Sequence, residues 1–120
     1  MTVKTILFVD DEQSLALLGV DLLEEYGYKV TSAFDGEEAF EKFQNQPGGY
    51  DLVITDESMP GISGLELAQQ LFVVSPAVPV IICSGHMLTM NEAGMEKTNI
   101  VNVLLKTDVC ARLPGMITAL

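Results

Sequence analysis

The chain has 120 residues, 48% hydrophobic and 19% charged, with 17 acidic residues against 6 basic ones and a formal net charge of −11. That length suits a single domain covering 1–120 with a core of its own, and so few Lys and Arg argue against direct nucleic-acid binding, which needs clustered cations for the phosphates. No apolar run approaches the ~20 residues of a bilayer span and no signal-peptide pattern follows the N-terminus, so a cytoplasmic chain without membrane insertion is expected.

In chain order, the first element is Ile6-Leu7-Phe8-Val9, an unbroken apolar run of the kind shown by a strand covered on both faces. From about 13 to 26 apolar residues return at helical spacing, with Leu15, Leu18 and Leu22 on one stripe and Ala16, Gly19, Leu23 and Tyr26 on the next. This predicts a helix with a broad buried face, stopped by Gly27. Lys29-Val30-Thr31-Ser32-Ala33 is more polar, as an edge strand is. Asp35 is placed to cap a second helix, with Glu38 three residues on; Phe40 and Phe43 mark its core face and Pro47-Gly48-Gly49 its end.

Leu52-Val53-Ile54 predicts another central strand. Ser63 and Glu66 then repeat the capping-box spacing before a helix with Leu65, Ala68 and Phe72 on one stripe and Leu67, Leu71 and Val74 on its neighbour, ended by a turn at Ser75-Pro76. Val80-Ile81-Ile82-Cys83 and the run from Ile100 to Leu105 read as two more central strands. Between them, the polar stretch 86 to 99, with Gly94, supports only a short helix. Val109, Leu113, Ile117 and Leu120 have helical spacing, but Pro114-Gly115 inside the segment predicts a late-starting or kinked final helix. Cys83 and Cys110 lack CxxC spacing and read as reduced thiols. Strand alternating with helix is the pattern of an α/β domain with a mainly parallel sheet and right-handed crossovers.

The polar residues concentrate where the strands end. The first run leads into Asp10-Asp11-Glu12, the run from Leu52 into Thr55-Asp56, the next into Ser84-Gly85 and the last into Lys106. In a parallel sheet all these ends share one edge, where ligands bind. Taken singly each has an ordinary explanation: an acidic doublet favoured by a helix dipole, a turn aspartate, a core hydroxyl, a solvated lysine. Their joint placement outweighs that explanation. Three clustered carboxylates repel one another, so a positive group must sit among them, either Lys106 or a divalent cation. Mg²⁺ takes oxygen ligands, commonly one or two carboxylates with phosphate oxygens, so the set suits a metal-assisted phosphoryl site.

These residues carry a resemblance to the receiver domain of two-component response regulators over nearly the whole chain. The stretches are Phe8 to Glu12, Asp51 to Gly64 with Met59-Pro60-Gly61 following Asp56, Pro79 to Gly85, and Leu104-Leu105-Lys106. The wording around Ser63 to Gln70 and Cys83-Ser84-Gly85-His86 is most similar to receivers of hybrid sensor histidine kinases. The resemblance implies a doubly wound, flavodoxin-like five-stranded parallel sheet of order 2-1-3-4-5. It also implies that Asp56 is the phosphoacceptor, and that Asp11, Asp56 and the Ser58 carbonyl hold Mg²⁺ with Asp10 helping to position it. Lys106 and Ser84 would contact the phosphoryl oxygens.

Under that resemblance the donor is a phosphohistidine on a histidine kinase or phosphotransfer protein, and the output is a conformational bias of the 86–99 segment, the last strand and the final helix. A downstream effector domain, or a homodimer through the final helix, would read it. The chain would be a signalling phosphoacceptor with at most weak self-dephosphorylation, not a turnover enzyme, and could form part of a longer kinase chain. Three features depart from the family pattern. Val103 stands where a switch aromatic is usual. Thr107 replaces the proline after the lysine, which predicts a trans peptide or a shifted loop there. The 86–99 stretch has low helical content. The resemblance also places Ser58 and His86 at positions that tune phosphoryl lifetime in the family. The alternative reading is a degenerate receiver used as a fixed interaction scaffold.

Overall fold

The Val- and Ile-rich runs pair side by side: in a computed structural model describing residues 3–46, 48–85 and 97–120, they form one parallel sheet. Its strands are β1 (Thr5–Val9), β2 (Lys29–Ala33), β3 (Leu52–Asp56), β4 (Val80–Ser84) and β5 (Ile100–Leu105), in the order β2-β1-β3-β4-β5. This is the doubly wound arrangement expected from the resemblance. Helices α1 (Gln13–Glu25), α2 (Gly36–Asn45), α3 (Gly64–Val74) and α4 (Val109–Thr118) complete the described elements, with a 3₁₀ turn at Lys106–Asp108. No helix among the described residues is long and apolar enough to cross a membrane.

Every residue of β3 and β4 is buried, as their continuous apolar runs require. Two cores lie on opposite faces. Leu7, Val9, Val53, Val80 and Ile82 pack with Phe43, Leu67 and Leu71 of α2 and α3. Ile6, Phe8, Leu52, Ile54 and Ile81 pack with Leu23 of α1 and Leu113 and Ile117 of α4. Alternate side chains of each strand thus serve opposite cores.

Both expected caps form. The Asp35 carboxylate accepts from Glu38 N–H at 2.7 Å, and the Ser63 hydroxyl and Glu66 carboxylate exchange both bonds of a capping box. Gly27 follows α1 with φ of 91°, the left-handed conformation that suits glycine.

Three expectations need correction. The buried face of α1 is narrower than its apolar content suggests. Ala16, Gly19 and Leu23 are buried, whereas Leu18 and Tyr26 are more than half exposed. Gly19 is the reason the helix can sit so close, since a Cβ there would fall 2.4 Å from the Phe8 ring. The run at 100–105 is an edge strand, with Val101 and Leu105 exposed and Val103 and Leu104 turned to opposite cores. The final helix contains Pro114 well inside it but is not late-starting. It begins at Val109 directly after the 3₁₀ turn, and the proline withholds its hydrogen bond beside exposed Cys110. Pro47 and residues 86–96 of the 86–99 stretch, where a short helix is expected, lie outside the described residues.

Candidate functional site

The strand ends bring together side chains 46 and 50 positions apart in the sequence. Asp10 follows β1 directly, and its carboxylate accepts from Glu12 N–H at 3.0 Å, which fixes it beside the start of α1. Asp56 is the last residue of β3. Although they end different strands, carboxylate oxygens of Asp10, Asp11 and Asp56 all lie within 4.8 Å of one another. Asp10 and Asp56 are buried and Asp11 is exposed.

Lys106, at the first position of the 3₁₀ turn, reaches into this cluster. Its Nζ lies 3.0 Å from Asp56 Oδ2 and 3.7 Å from Asp10 Oδ2. No cis peptide occurs among the described residues, so the Lys106–Thr107 bond is trans, as Thr107 predicts. The altered residue therefore does not keep the lysine from the acids. On the other side of Asp56, Ser58 N–H makes a long 3.4 Å contact with Oδ1.

Burial dominates the electrostatics of the two inner acids. It pushes Asp10 and Asp56 above the usual carboxylate range, and the Glu12 N–H bond to Asp10 and the Lys106 ammonium beside both acids only partly oppose it. For Lys106 burial disfavours the charge, but the hydrogen bond to Asp56 and the fields of Asp56, Asp10 and Asp11 outweigh it and raise the pKa. Three carboxylates thus face one ammonium, with negative charge in excess. An all-oxygen donor set of this kind, with two of its acids buried and under-compensated, fits Mg²⁺.

Ser84, fully buried at the end of β4, is also at this edge, and its hydroxyl donates to Glu57 Oε1 at 3.0 Å. Sequence reasoning passes over Glu57, which becomes visible only through this bond. His86 lies outside the described residues. Val103 packs against the α2–α3 core, so an aliphatic side chain fills the place of the usual ring.

Leu15, Leu18 and Leu22, read from the sequence as core, instead line a cavity of about 80 Å³ with Phe8, Ile54 and Cys83 that reaches Asp56 and Lys106. Burial, then the charges of Asp56 and Asp10, pushes the Cys83 thiol up to about 12, while Cys110 is exposed. Iodoacetamide is therefore expected to alkylate Cys110 alone in the native protein and both thiols in denaturant, as read by intact mass.

The chain matches the description "Response regulator receiver domain" over residues 6–117. It is 33% identical over 82 residues to the response regulator receiver protein CpdR of Brucella abortus, covering 68% of this chain and 67% of CpdR. It is 35% identical over 82 residues to the sensor kinase CckA of the same organism, covering 68% of this chain but only 9% of that much longer protein. Among solved structures, the response regulator protein TrrA from Thermotoga maritima, in complex with Mg²⁺-BeF, superposes with a TM-score of 0.86 at 33% identity, covering 97% of each chain.

Proposed function

We propose, on the premise that the chain belongs to the family of response regulator receiver domains of two-component systems, that Asp56 accepts a phosphoryl group from a phosphohistidine. A histidine kinase or a phosphotransfer protein would present that donor. The observation that carries this reading is Lys106 Nζ at 3.0 Å from Asp56 Oδ2 inside a cluster of three carboxylates.

In the transfer, an Asp56 carboxylate oxygen attacks phosphorus, the P–N bond to the imidazole breaks, and the electron pair leaves with the ring nitrogen. Asp11, Asp56 and the Ser58 carbonyl would hold Mg²⁺, with Asp10 beside them. The ion supplies positive charge against the transferring phosphoryl oxygens. The Lys106 ammonium starts on Asp56 and moves to a phosphoryl oxygen as negative charge is transferred there, a shift its flexible stem allows. The Ser84 hydroxyl donates to another phosphoryl oxygen, and Gly85 beside it leaves room for the group.

The phosphoryl group carries ~1.5–2 negative charges, if the figure for phosphorylated hydroxyl residues applies, in place of the single charge of the Asp56 carboxylate. With Val103 in place of an aromatic, the signal would pass through movement of Ser84 and its loop and not through rotation of a ring. Self-dephosphorylation would be slow, and an effector domain or a second copy docking on the final helix would read the state. The free thiols of Cys83 and Cys110 support a cytoplasmic setting.

Incubation with acetyl phosphate and Mg²⁺ is expected to add one phosphoryl mass to the wild type and none to Asp56→Asn. Failure of the folded wild type to gain it would point instead to a fixed scaffold.

A further inference from the structure

Glu57 is held at both ends of its backbone. Its N–H donates to the Cys83 carbonyl at 2.8 Å and its carbonyl accepts from Gly64 N–H at 2.9 Å. From this fixed position the side chain spans β3 and β4, and its Oε1 accepts the Ser84 hydroxyl at 3.0 Å. Ser84 is fully buried and Glu57 half-buried, so this charge-assisted bond is partly shielded from water. A serine hydroxyl has one proton to donate, and an ionised carboxylate can only accept.

We propose that Glu57 is a latch on Ser84: it holds the hydroxyl in the unphosphorylated protein, and the phosphoryl group at Asp56 must take that proton donor from it. This rests on Asp56 being the phosphoacceptor and adds a positioning residue to that site. Once Ser84 turns to the phosphoryl oxygen, the Glu57 carboxylate loses its donor and faces an oxygen lone pair. The switched state is therefore opposed by the amount the latch had stabilised the resting one. Phosphoryl occupancy and the turning of Ser84 are coupled through this exchange of acceptors.

The test is equilibrium binding of beryllofluoride in the presence of Mg²⁺, followed by amide chemical shifts, on variants whose spectra show an intact fold. Glu57→Leu is expected to bind about tenfold tighter than wild type, equivalent to about 1.4 kcal/mol. Glu57→Gln keeps an oxygen acceptor without the charge and should gain about threefold. Both gains should vanish in a Ser84→Ala background.

Equal gains in Gln and Leu would assign the effect to charge repulsion alone and overturn the latch. So would no gain, or a gain that survives Ser84→Ala. Binding by no form, wild type included, would overturn the phosphoacceptor reading and the latch with it. Binding by wild type without graded gains overturns the latch only. In protein without ligand, three-bond couplings should report one Ser84 χ1 rotamer in wild type; averaging there contradicts the proposal. Glu57→Ala replaces the leucine variant if that fails to fold.

Discussion

Replacing Lys106 by alanine is expected to cost the folded protein about 2 kcal/mol near neutral pH and to slow phosphoryl uptake roughly a hundredfold. Lys106 is the cation that contacts both buried acids, at 3.0 Å from Asp56 and 3.7 Å from Asp10. Without it, two carboxylates in a buried cluster repel each other with no ammonium between them. The lysine side chain is 29% exposed, so water screens part of the change and the loss should fall below the ~3–5 kcal/mol typical of breaking a fully buried pair.

The pH dependence has a definite sign. Asp10 and Asp56 already have raised pKa values in the fold because burial outweighs the lysine, and the substitution raises them further. A folded state that binds protons more tightly than the unfolded chain loses stability as pH rises from the unfolded value through the folded one. The deficit of Lys106→Ala relative to wild type should therefore be largest at neutral pH. It should shrink as pH falls through the raised folded values toward ~4, where protonated acids no longer need the ammonium. Urea unfolding at several pH values measures this, and added Mg²⁺ should restore part of the loss at neutral pH.

Gly64→Ala is expected to destabilise the protein by about 3 kcal/mol, the upper part of the range for forced overpacking. Gly64 opens α3, and a Cβ there would lie 2.3 Å from the Asp56 carbonyl oxygen and 3.2 Å from Glu57 Cα. Those are backbone atoms at the end of a fully buried strand, so relief requires moving Asp56 itself. The helix-propensity gain of alanine, up to ~1 kcal/mol, is too small to offset this. Gly36→Ala is the matched comparison, since Gly36 opens α2 in the same way. Its Cβ would meet the Ile62 side chain at 2.3 Å, which can rotate aside. The expected cost there is about 1 kcal/mol. Denaturant midpoints should separate the two variants, and Gly64→Ala should also take up phosphoryl groups more slowly because its nucleophile is displaced.

The strands were the most legible part of the chain because burial on both faces leaves an unbroken apolar run. The same signal misleads at 100–105, where an edge strand carries as many apolar residues as a central one and only its neighbours distinguish them. The face of α1 is narrower than its leucines suggest for a related reason. A stripe of leucines reports where water is avoided but not whether a sheet or a cavity wall receives it, and Leu15 and Leu18 line the cavity that reaches Asp56. Asp10, Asp11, Asp56, Ser84 and Lys106 could be grouped from sequence because a parallel sheet collects its strand ends on one edge. Glu57 could not, because its role depends on a hydrogen bond to a residue 27 positions away.

The position of the phosphoryl group is the most direct measurement. After incubation with acetyl phosphate and Mg²⁺, borohydride converts an aspartyl phosphate to homoserine, and peptide mapping locates the converted residue. Conversion at Asp56 alone is the predicted result. Conversion at Asp10 or Asp11 with Asp56 intact, or none in the folded protein, would contradict the assignment of Asp56 as the acceptor.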